Sequence, residues 1–454
     1  MHTRYPSLLF MTLAVALWLS ATASAFAAPL GLTLDEALAA AAQNRPELKS
    51  LAADRAAAEI KARYAGSAPN PELGVEWDNL GGDLPADDGR ETTLSLNQTI
   101  ELGGKPAARA HKVAVESARL QQEQAITWLD IAAEVRTAYL EVQVAREHLT
   151  LQHEAEEIAT ALADIARERV KAGELAATEE TRAVARQWEA ATETQSAARS
   201  ISEAELDLAT LLVSPEPNGV TTIGPLPQEL PIPDRQTLLA NIDSVPLLSL
   251  RQSESRVAAA DLSLEKANAW SDPTLSLSVR EIPTHDSRAV ALGISIPLPL
   301  FQRNQGAVAA ADAATRKAHL QAESATLRLR TAVTKAHKTL ISADQEARTL
   351  RTEVLSRSRE AALAVQEGFR AGKFRYSDVL EASNALVAVK KSHLAALVEL
   401  HRAAIALDHI LGRPAIPATT VSPAATQHPT DANDHSGIIH TPPPNRNNEE
   451  KSHE

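Results

Sequence analysis

Val290-Ala291-Leu292-Gly293-Ile294-Ser295-Ile296 alternates large apolar side chains with small or polar ones. Successive residues of a strand point to opposite faces, so this period of two describes a strand with one apolar face. Leu275, Leu277 and Val279 alternate in the same way with Thr274, Ser276, Ser278 and Arg280 just upstream. About 200 residues earlier the pattern recurs: Leu73, Val75 and Trp77 alternate with charged residues or glycine, and Leu94 and Leu96 with Thr93, Ser95 and Asn97. Pro71, Pro273 and Pro297 fall at strand ends, where the missing N–H breaks no ladder. Gly81-Gly82 through Gly89, and Ile282 to Ser287, are expected to turn between the strands of each pair.

Other landmarks repeat in the same order. Asn44-Arg45-Pro46-Glu47-Leu48 is echoed by Ser244-Val245-Pro246-Leu247-Leu248, Lys171-Ala172-Gly173-Glu174 by Arg370-Ala371-Gly372-Lys373, and Leu208 to Leu212 by Leu407 to Leu411. The chain therefore reads as two copies of one plan: helix, two strands, very long helix, glycine turn, long helix. The expected boundaries are a first repeat over 29–213, a Pro/Gly-rich linker over 214–233, a second repeat over 234–412 and a disordered His/Pro-rich tail over 413–454.

The helices account for most of the length. From Gly104 to Lys171 no proline follows Pro106, which allows on the order of 100 Å of helix. Ile131, Val135, Ala138, Val142, Ala145 and Leu149 step by four and three, as do Val333, Ala336, Leu340, Ala343, Ala347, Leu350 and Val354. The last helix carries two seams. Val379, Ala382, Leu386, Val389, His393, Ala396, Leu400, Ala403, Leu407 and Ile410 form one. Leu380, Val387, Leu394, Val398 and Ile405 form the other, broken by Asn384, Lys391 and His401. Two seams require partners on two sides, which a ring of helices or a buried bundle helix would supply. His393 and His401 are expected to make interhelical polar contacts. Gly173 and Gly372 are read as hairpin tips, because glycine takes the left-handed conformation that ends a helix without steric cost.

Four strands cannot close a barrel, and an open sheet edge cannot lie in hydrocarbon. The strands are therefore either hairpins covered by helices or one share of a barrel built by several chains. Each is near the roughly 9–11 residues a tilted span needs, and three chains would supply twelve strands. Trp77 and Trp270, near strand ends, suit a membrane interface.

The N-terminus reads as a secretory signal peptide over 1–28: Arg4, an apolar run from Leu8 to Leu19, and the small-x-small site Ala25-Phe26-Ala27. Composition narrows the function further. The chain has 454 residues, no cysteine, 3% aromatics and a formal net charge of −13. Without cysteine there is no disulfide, thiolate zinc site, Cys nucleophile or lipidated N-terminal Cys. No basic face offers itself to nucleic acid. No Ser-His-Asp order, phosphate-cradling loop or paired-carboxylate cleft emerges, so no catalytic residues, cofactor site or resident metal site are expected. His428, His435, His440 and His453, with Asp431 and Asp434, have ligand chemistry but no spacing of a closed site; a solvated tail and metal capture are the two readings.

This plan resembles the TolC-type outer-membrane efflux family over roughly Leu32 to Gly412. The resemblance is carried by the duplication, by Ala68-Pro69-Asn70-Pro71-Glu72-Leu73 entering a strand, and by Gln98-Thr99-Ile100-Glu101-Leu102-Gly103-Gly104-Lys105 leaving one. The last stretch looks most like the CzcC-type branch of heavy-metal efflux systems. The resemblance implies a mainly α chain with a small β part, a homotrimer with a twelve-stranded β-barrel in outer-membrane lipid, and a periplasmic α-barrel. It implies hairpin tips that meet a periplasmic membrane-fusion adaptor coupled to an inner-membrane RND pump. It also implies that Asp378 and Glu381 line the periplasmic mouth. Thr178 and Glu179 fall where some relatives hold the entrance closed through polar links, and Phe369 stands where one such relative has a tyrosine. Arg370 and Arg375 are candidate carboxylate partners. The expected function is export of divalent heavy-metal cations. Multidrug or type I protein secretion, or a periplasmic adaptor or scaffold role, are the alternatives.

Overall fold

A computed structural model describes residues 30–78, 80, 91–213, 220–282 and 287–413. The signal sequence, both inter-strand turns and the His-containing tail lie outside these residues. In chain order the elements are β1 (Leu30–Leu32), α1 (Leu34–Asn44), α2 (Pro46–Tyr64), β2 (Glu72–Asp78), β3 (Glu91–Thr99), α3 (Lys105–Lys171) and α4 (Ala177–Leu211). The second half has β4 (Val220–Thr222), α5 (Arg235–Ala240), α6 (Pro246–Asn268), β5 (Thr274–Ile282), β6 (Ser287–Ser295), α7 (Gln305–Thr349), α8 (Ser356–Arg370) and α9 (Tyr376–Leu411). The chain is thus mostly helical with a small β part, and both halves follow one plan.

The four predicted strands form one antiparallel sheet in the order β2-β3-β5-β6. The register aligns Leu73, Leu96, Leu277 and Leu292 in one row, and Val75, Leu94, Val279 and Val290 in the next. Leu275 and Ile294 pair in a third. Glu76, Thr93, Arg280 and Ala289 line up on the opposite face. The apolar face is not covered by helices: Leu73 is 71% exposed, Val290 72% and Leu292 81%. Among the described residues β2 pairs only with β3 and β6 only with β5, which leaves two free edges.

The stretch read as a linker is partly ordered. Val220–Thr222 pairs in parallel with Leu30–Leu32, and the Tyr139 hydroxyl of α3 lies 3.0 Å from Leu32 O and 2.9 Å from Ile223 O. Leu226 is buried in a core with Leu238, Val333, Leu340, Leu397 and Leu400. A matching core in the first half gathers Leu38, Ile131, Val135, Val142 and Leu208.

Both seams of α9 bury residues within one chain, Ala396, Leu400, Ala403 and Leu407 from one and Leu394 and Ile405 from the other. Leu397, assigned to neither seam, is 2% exposed. His401 Nε2 meets Pro227 O at 2.8 Å, so its contact is to the inter-repeat segment and not to a helix. His393 Nε2 has no hydrogen-bond partner among the described residues. The long helix of the second half also departs from expectation. Leu350–Leu355 winds as a π-helix between α7 and α8. A π turn accommodates one more residue than an α turn and so shifts the phase of the helix beyond it. The seam through Val333, Leu340, Ala343 and Ala347 therefore does not reach Val354, which is exposed.

Sheet and helices meet at the Glu101-Leu102-Gly103-Gly104-Lys105 turn. Gly103 (φ +70°) and Gly104 (φ +74°) are both left-handed, and a Cβ on Gly103 would lie 2.6 Å from the Trp270 ring. Arg109 forks onto Glu101, with Nη2 2.7 Å from Oε2, and its Nε donates to Ala65 O at 3.0 Å. Lys105 donates to Trp270 O at 2.8 Å and pairs with Asp272, which also accepts from Leu102 N–H at 2.9 Å. The network joins the two repeats beneath the sheet. The Arg109 hydrogen bonds, acting against burial, hold Glu101 below its ordinary value. Burial of Asp272 acts upward and is outweighed by its bonds from Lys105 and Leu102. A depressed carboxylate contributes stability that is present above its unfolded pKa and lost as pH falls through its folded one. Glu101→Gln is accordingly expected to lower the melting temperature at neutral pH and to flatten its fall below about pH 4. Circular-dichroism melts in detergent across that range check this, and parallel curves for both proteins would count against it.

Candidate functional site

Two helical hairpins end side by side. After α3, Gly173 (φ +76°) closes a Schellman turn: its N–H donates to Val170 O at 3.0 Å and the Glu174 N–H to Arg169 O at 2.8 Å. After α8, Gly372 (φ +74°) does the same, its N–H donating to Phe369 O at 3.0 Å and the Lys373 N–H to Gly368 O at 2.8 Å. The Phe374 ring lies against Gly368, where a Cβ would come within 2.3 Å of it.

The hairpins are held together near these turns by a small apolar cluster. Leu162, Ala163 and Ala166 of α3 and Ala183 of α4 pack against Phe369 of α8 and Tyr376 and Val379 of α9. Phe369 is 3% exposed, and its ring centroid lies 6.4 Å from that of Tyr376 at 59°. The Arg169 guanidinium sits 4.1 Å from the Phe369 centroid, a cation–π contact between the first hairpin and the second. The Tyr376 hydroxyl is buried without a partner among the described residues. Burial, assisted by the nearby Glu179 carboxylate, pushes its pKa up.

The polar residues singled out in sequence are arranged differently from one another. Asp378 caps its own helix, accepting from Arg375 N–H at 2.9 Å, and the Arg375 guanidinium lies 3.7 Å from the same carboxylate. Arg375 thus pairs within its own turn and, among the described residues, makes no hydrogen bond or ion pair to the first hairpin. Glu381 and Thr178 are exposed. Glu179 is half-buried, with Arg182 at 3.4 Å on its own helix. Thr178 and Glu179 make no side-chain hydrogen bond across the hairpins among the described residues. The contact across them at Phe369 is aromatic and cationic. Sequence reasoning passed over Arg169 and Tyr376; the only signal was an aromatic pair flanking the Gly372 turn in a chain that is 3% aromatic.

Among the described residues no helix is long and apolar enough to cross a membrane, and no group of three or more His, Asp or Glu side chains could hold a metal ion.

The fold is shared with the outer membrane protein VceC of Vibrio cholerae, at a TM-score of 0.69 and 21% identity, covering 84% of this chain and 96% of that one. In sequence the chain is 30% identical to the cobalt-zinc-cadmium resistance protein CzcC of Cupriavidus metallidurans, over 84% of this chain and 90% of that protein. It is 27% identical to the nickel and cobalt resistance protein CnrC of the same organism, over 65% of this chain and 70% of that protein. The family described as outer membrane efflux protein matches residues 37–213 and 248–413, one stretch in each half of the chain. By that match, and by the duplicated hairpin plan, the chain belongs to the outer membrane efflux protein family.

Proposed function

We propose that three copies of this chain form an outer-membrane channel that passes divalent heavy-metal cations out of the cell, as the conduit of a tripartite RND system. The observation that carries the channel is the four-stranded sheet with an exposed apolar face, a polar opposite face and, among the described residues, two unpaired edges. Pairing β6 of one copy with β2 of the next would satisfy both edges and close twelve strands around a polar lumen. The membrane span then needs no apolar helix. The metal cargo is supported by CzcC and CnrC, whose names record cobalt, zinc, cadmium and nickel resistance. An inner-membrane pump supplies the energy, and a periplasmic membrane-fusion adaptor engages the exposed turns at Gly173 and Gly372.

Asp378 and Glu381 stand on the first turns of α9 beside the Gly372 turn. Repeated in three copies around one opening, they would raise local cation concentration and disfavour anions. Replacing them together by Asn and Gln is expected to lower the cation-to-anion permeability ratio while leaving assembly intact, since Asn can still accept the Arg375 N–H bond. Reversal potentials in planar bilayers under a salt gradient measure this, and unchanged selectivity would remove both residues from the pore mouth.

The assignment of cargo is tested by accumulation of zinc, cobalt, cadmium, nickel and copper in cells lacking the protein and in complemented cells, with a dye-efflux control. Raised metal with normal dye supports metal export. Normal metal with retained dye transfers the channel to drug export. No difference in either leaves protein secretion or a scaffold role.

A further inference from the structure

The end of α9 meets the start of α6. Gly412 (φ +66°) closes α9, and a Cβ on it would lie 2.3 Å from Pro246 Cδ in the first turn of α6. Two abutting helix ends leave out the side chains that a continuous helix would place between them. A half-enclosed cavity of about 570 Å³ opens at this joint, walled by α3, α6, α7 and α9 of one chain. That size falls among small-ligand sites. The first repeat has the same joint between α4 and α2, where Asn44 Nδ2 donates to Leu212 O at 3.4 Å. There Arg45 folds in, its side chain 14% exposed and its guanidinium 3.1 Å from Glu134. Val245 stands at the corresponding place in the second repeat and is too short to do the same. The joint that a long side chain occupies in one repeat is open in the other.

The lining is apolar below and cationic at the rim. Leu129, Val245 and Leu329 are buried and form the floor. Arg251 Nη1 pairs with Glu254 of its own helix at 2.8 Å. The one carboxylate among the lining residues, Asp130, lies 2.7 Å from His409 Nε2. Arg328, in contrast, is exposed and makes no ion pair or side-chain hydrogen bond among the described residues. A guanidinium left over beside an apolar floor suits a ligand with a carboxylate head and an aliphatic body. A cationic amphiphile would bring like charge to Arg328. Exposed Leu320 and Leu327 lie about a third of a turn of α7 away from the lining stripe of Gln321, Ala325, Arg328 and Ala332. A second copy packed on those leucines would therefore leave the cavity open.

We propose that this joint is a binding site for a single-chain amphipathic carboxylate, its aliphatic part on Leu129, Val245 and Leu329 and its head on Arg328. The proposal goes beyond the channel reading and does not depend on it, since every wall comes from one copy. Bound there, the ligand touches the ends of α6 and α9 and the flank of α7 at once. It ties together helices whose own contact is an end-to-end abutment, and by binding only the folded chain it stabilises it.

Decanoate is the probe, with decyltrimethylammonium as its counterpart of opposite charge. Radiolabelled probe is equilibrated by dialysis with the full-length protein in lipid nanodiscs, and uptake by empty discs is subtracted. The expected result is saturable binding of one decanoate per chain, lost in Ala325→Phe, which places a ring in the cavity. Arg328→Gln changes an exposed side chain without a partner, so the melting temperature is expected to hold while decanoate affinity falls about tenfold. That variant keeps the test decisive should the added ring unfold the bundle. Decyltrimethylammonium is expected to bind the wild type more weakly than decanoate by a similar factor. Uptake that does not saturate, or that is equal in the wild type and Ala325→Phe, overturns the proposal and would mean that water or protein occupies the joint. Equal affinity for the two probes, or unchanged decanoate affinity in Arg328→Gln, overturns the assignment of a carboxylate head to Arg328.

Discussion

Leu277→Arg is expected to abolish assembly into the outer membrane. Leu277 sits on the inner strand β5, in the row that joins Leu73, Leu96, Leu277 and Leu292, with the Val279 row on one side and Leu275 with Ile294 on the other. In a closed barrel that row lies well inside the apolar band. An arginine facing lipid near mid-depth costs about 2–4 kcal/mol, so three copies in one barrel cost roughly 6–12 kcal/mol. That is comparable to the whole folding stability of an ordinary domain, about 5–15 kcal/mol. The neighbouring residue supplies the control. Ser278 pairs with Ser95 and Ala291 on the opposite face, and Ser278→Arg is expected to assemble normally and to alter conductance only. Density-gradient fractionation with cross-linking reads both variants. Normal insertion of Leu277→Arg would mean that this face does not meet lipid and would remove the barrel from the proposal.

The second large effect is expected at the hairpin tips. Phe369→Ala removes the largest apolar side chain from a cluster that includes four alanine and leucine residues of the first hairpin. Truncating a buried Phe costs about 3–5 kcal/mol, and loss of the Arg169 contact adds about 0.5–2 kcal/mol. The small cluster has little else to offset this, so the second hairpin is expected to detach locally from the first. In bilayers the open-state conductance should then appear without a partner protein, and hydrogen exchange over residues 356–376 should rise. Arg169→Met keeps the aliphatic stem and loses only the cation, so its effect is expected to be clearly smaller. If Phe369→Ala changes neither conductance nor exchange, the cluster does not hold the entrance.

These two sites differ in how far they could be seen in sequence. The exposed apolar rows of the sheet were legible because alternation is local: once Leu275, Leu277 and Val279 occupy one face, the pleat decides the rest. The glycine turns were legible because Gly173 and Gly372 interrupt helical periodicity at equivalent points. The tip cluster was not. Phe369 drew attention through the family resemblance, as a position missing a hydroxyl. Its actual partner, Arg169, lies 200 residues away, one of many arginines on a long helix, and nothing local distinguishes it. Arg375 was expected to reach toward carboxylates and finds Asp378 three residues away, because a helix start brings those two together without any tertiary contact.

The duplicated plan, the faces of the four strands, the long helices and their glycine ends were all readable along the chain, since each comes from periods and backbone preferences that span a few residues. Folding in three dimensions selected the rest: which seam residues are buried, the π turn at Leu350–Leu355, the pairing of β1 with β4, the Glu101–Arg109 and Lys105–Asp272 joint, and the seat of Arg169 on Phe369. Each of these joins residues or fixes a helix phase through packing between segments distant in the chain, and the energies involved depend on which surfaces meet, which no local pattern records.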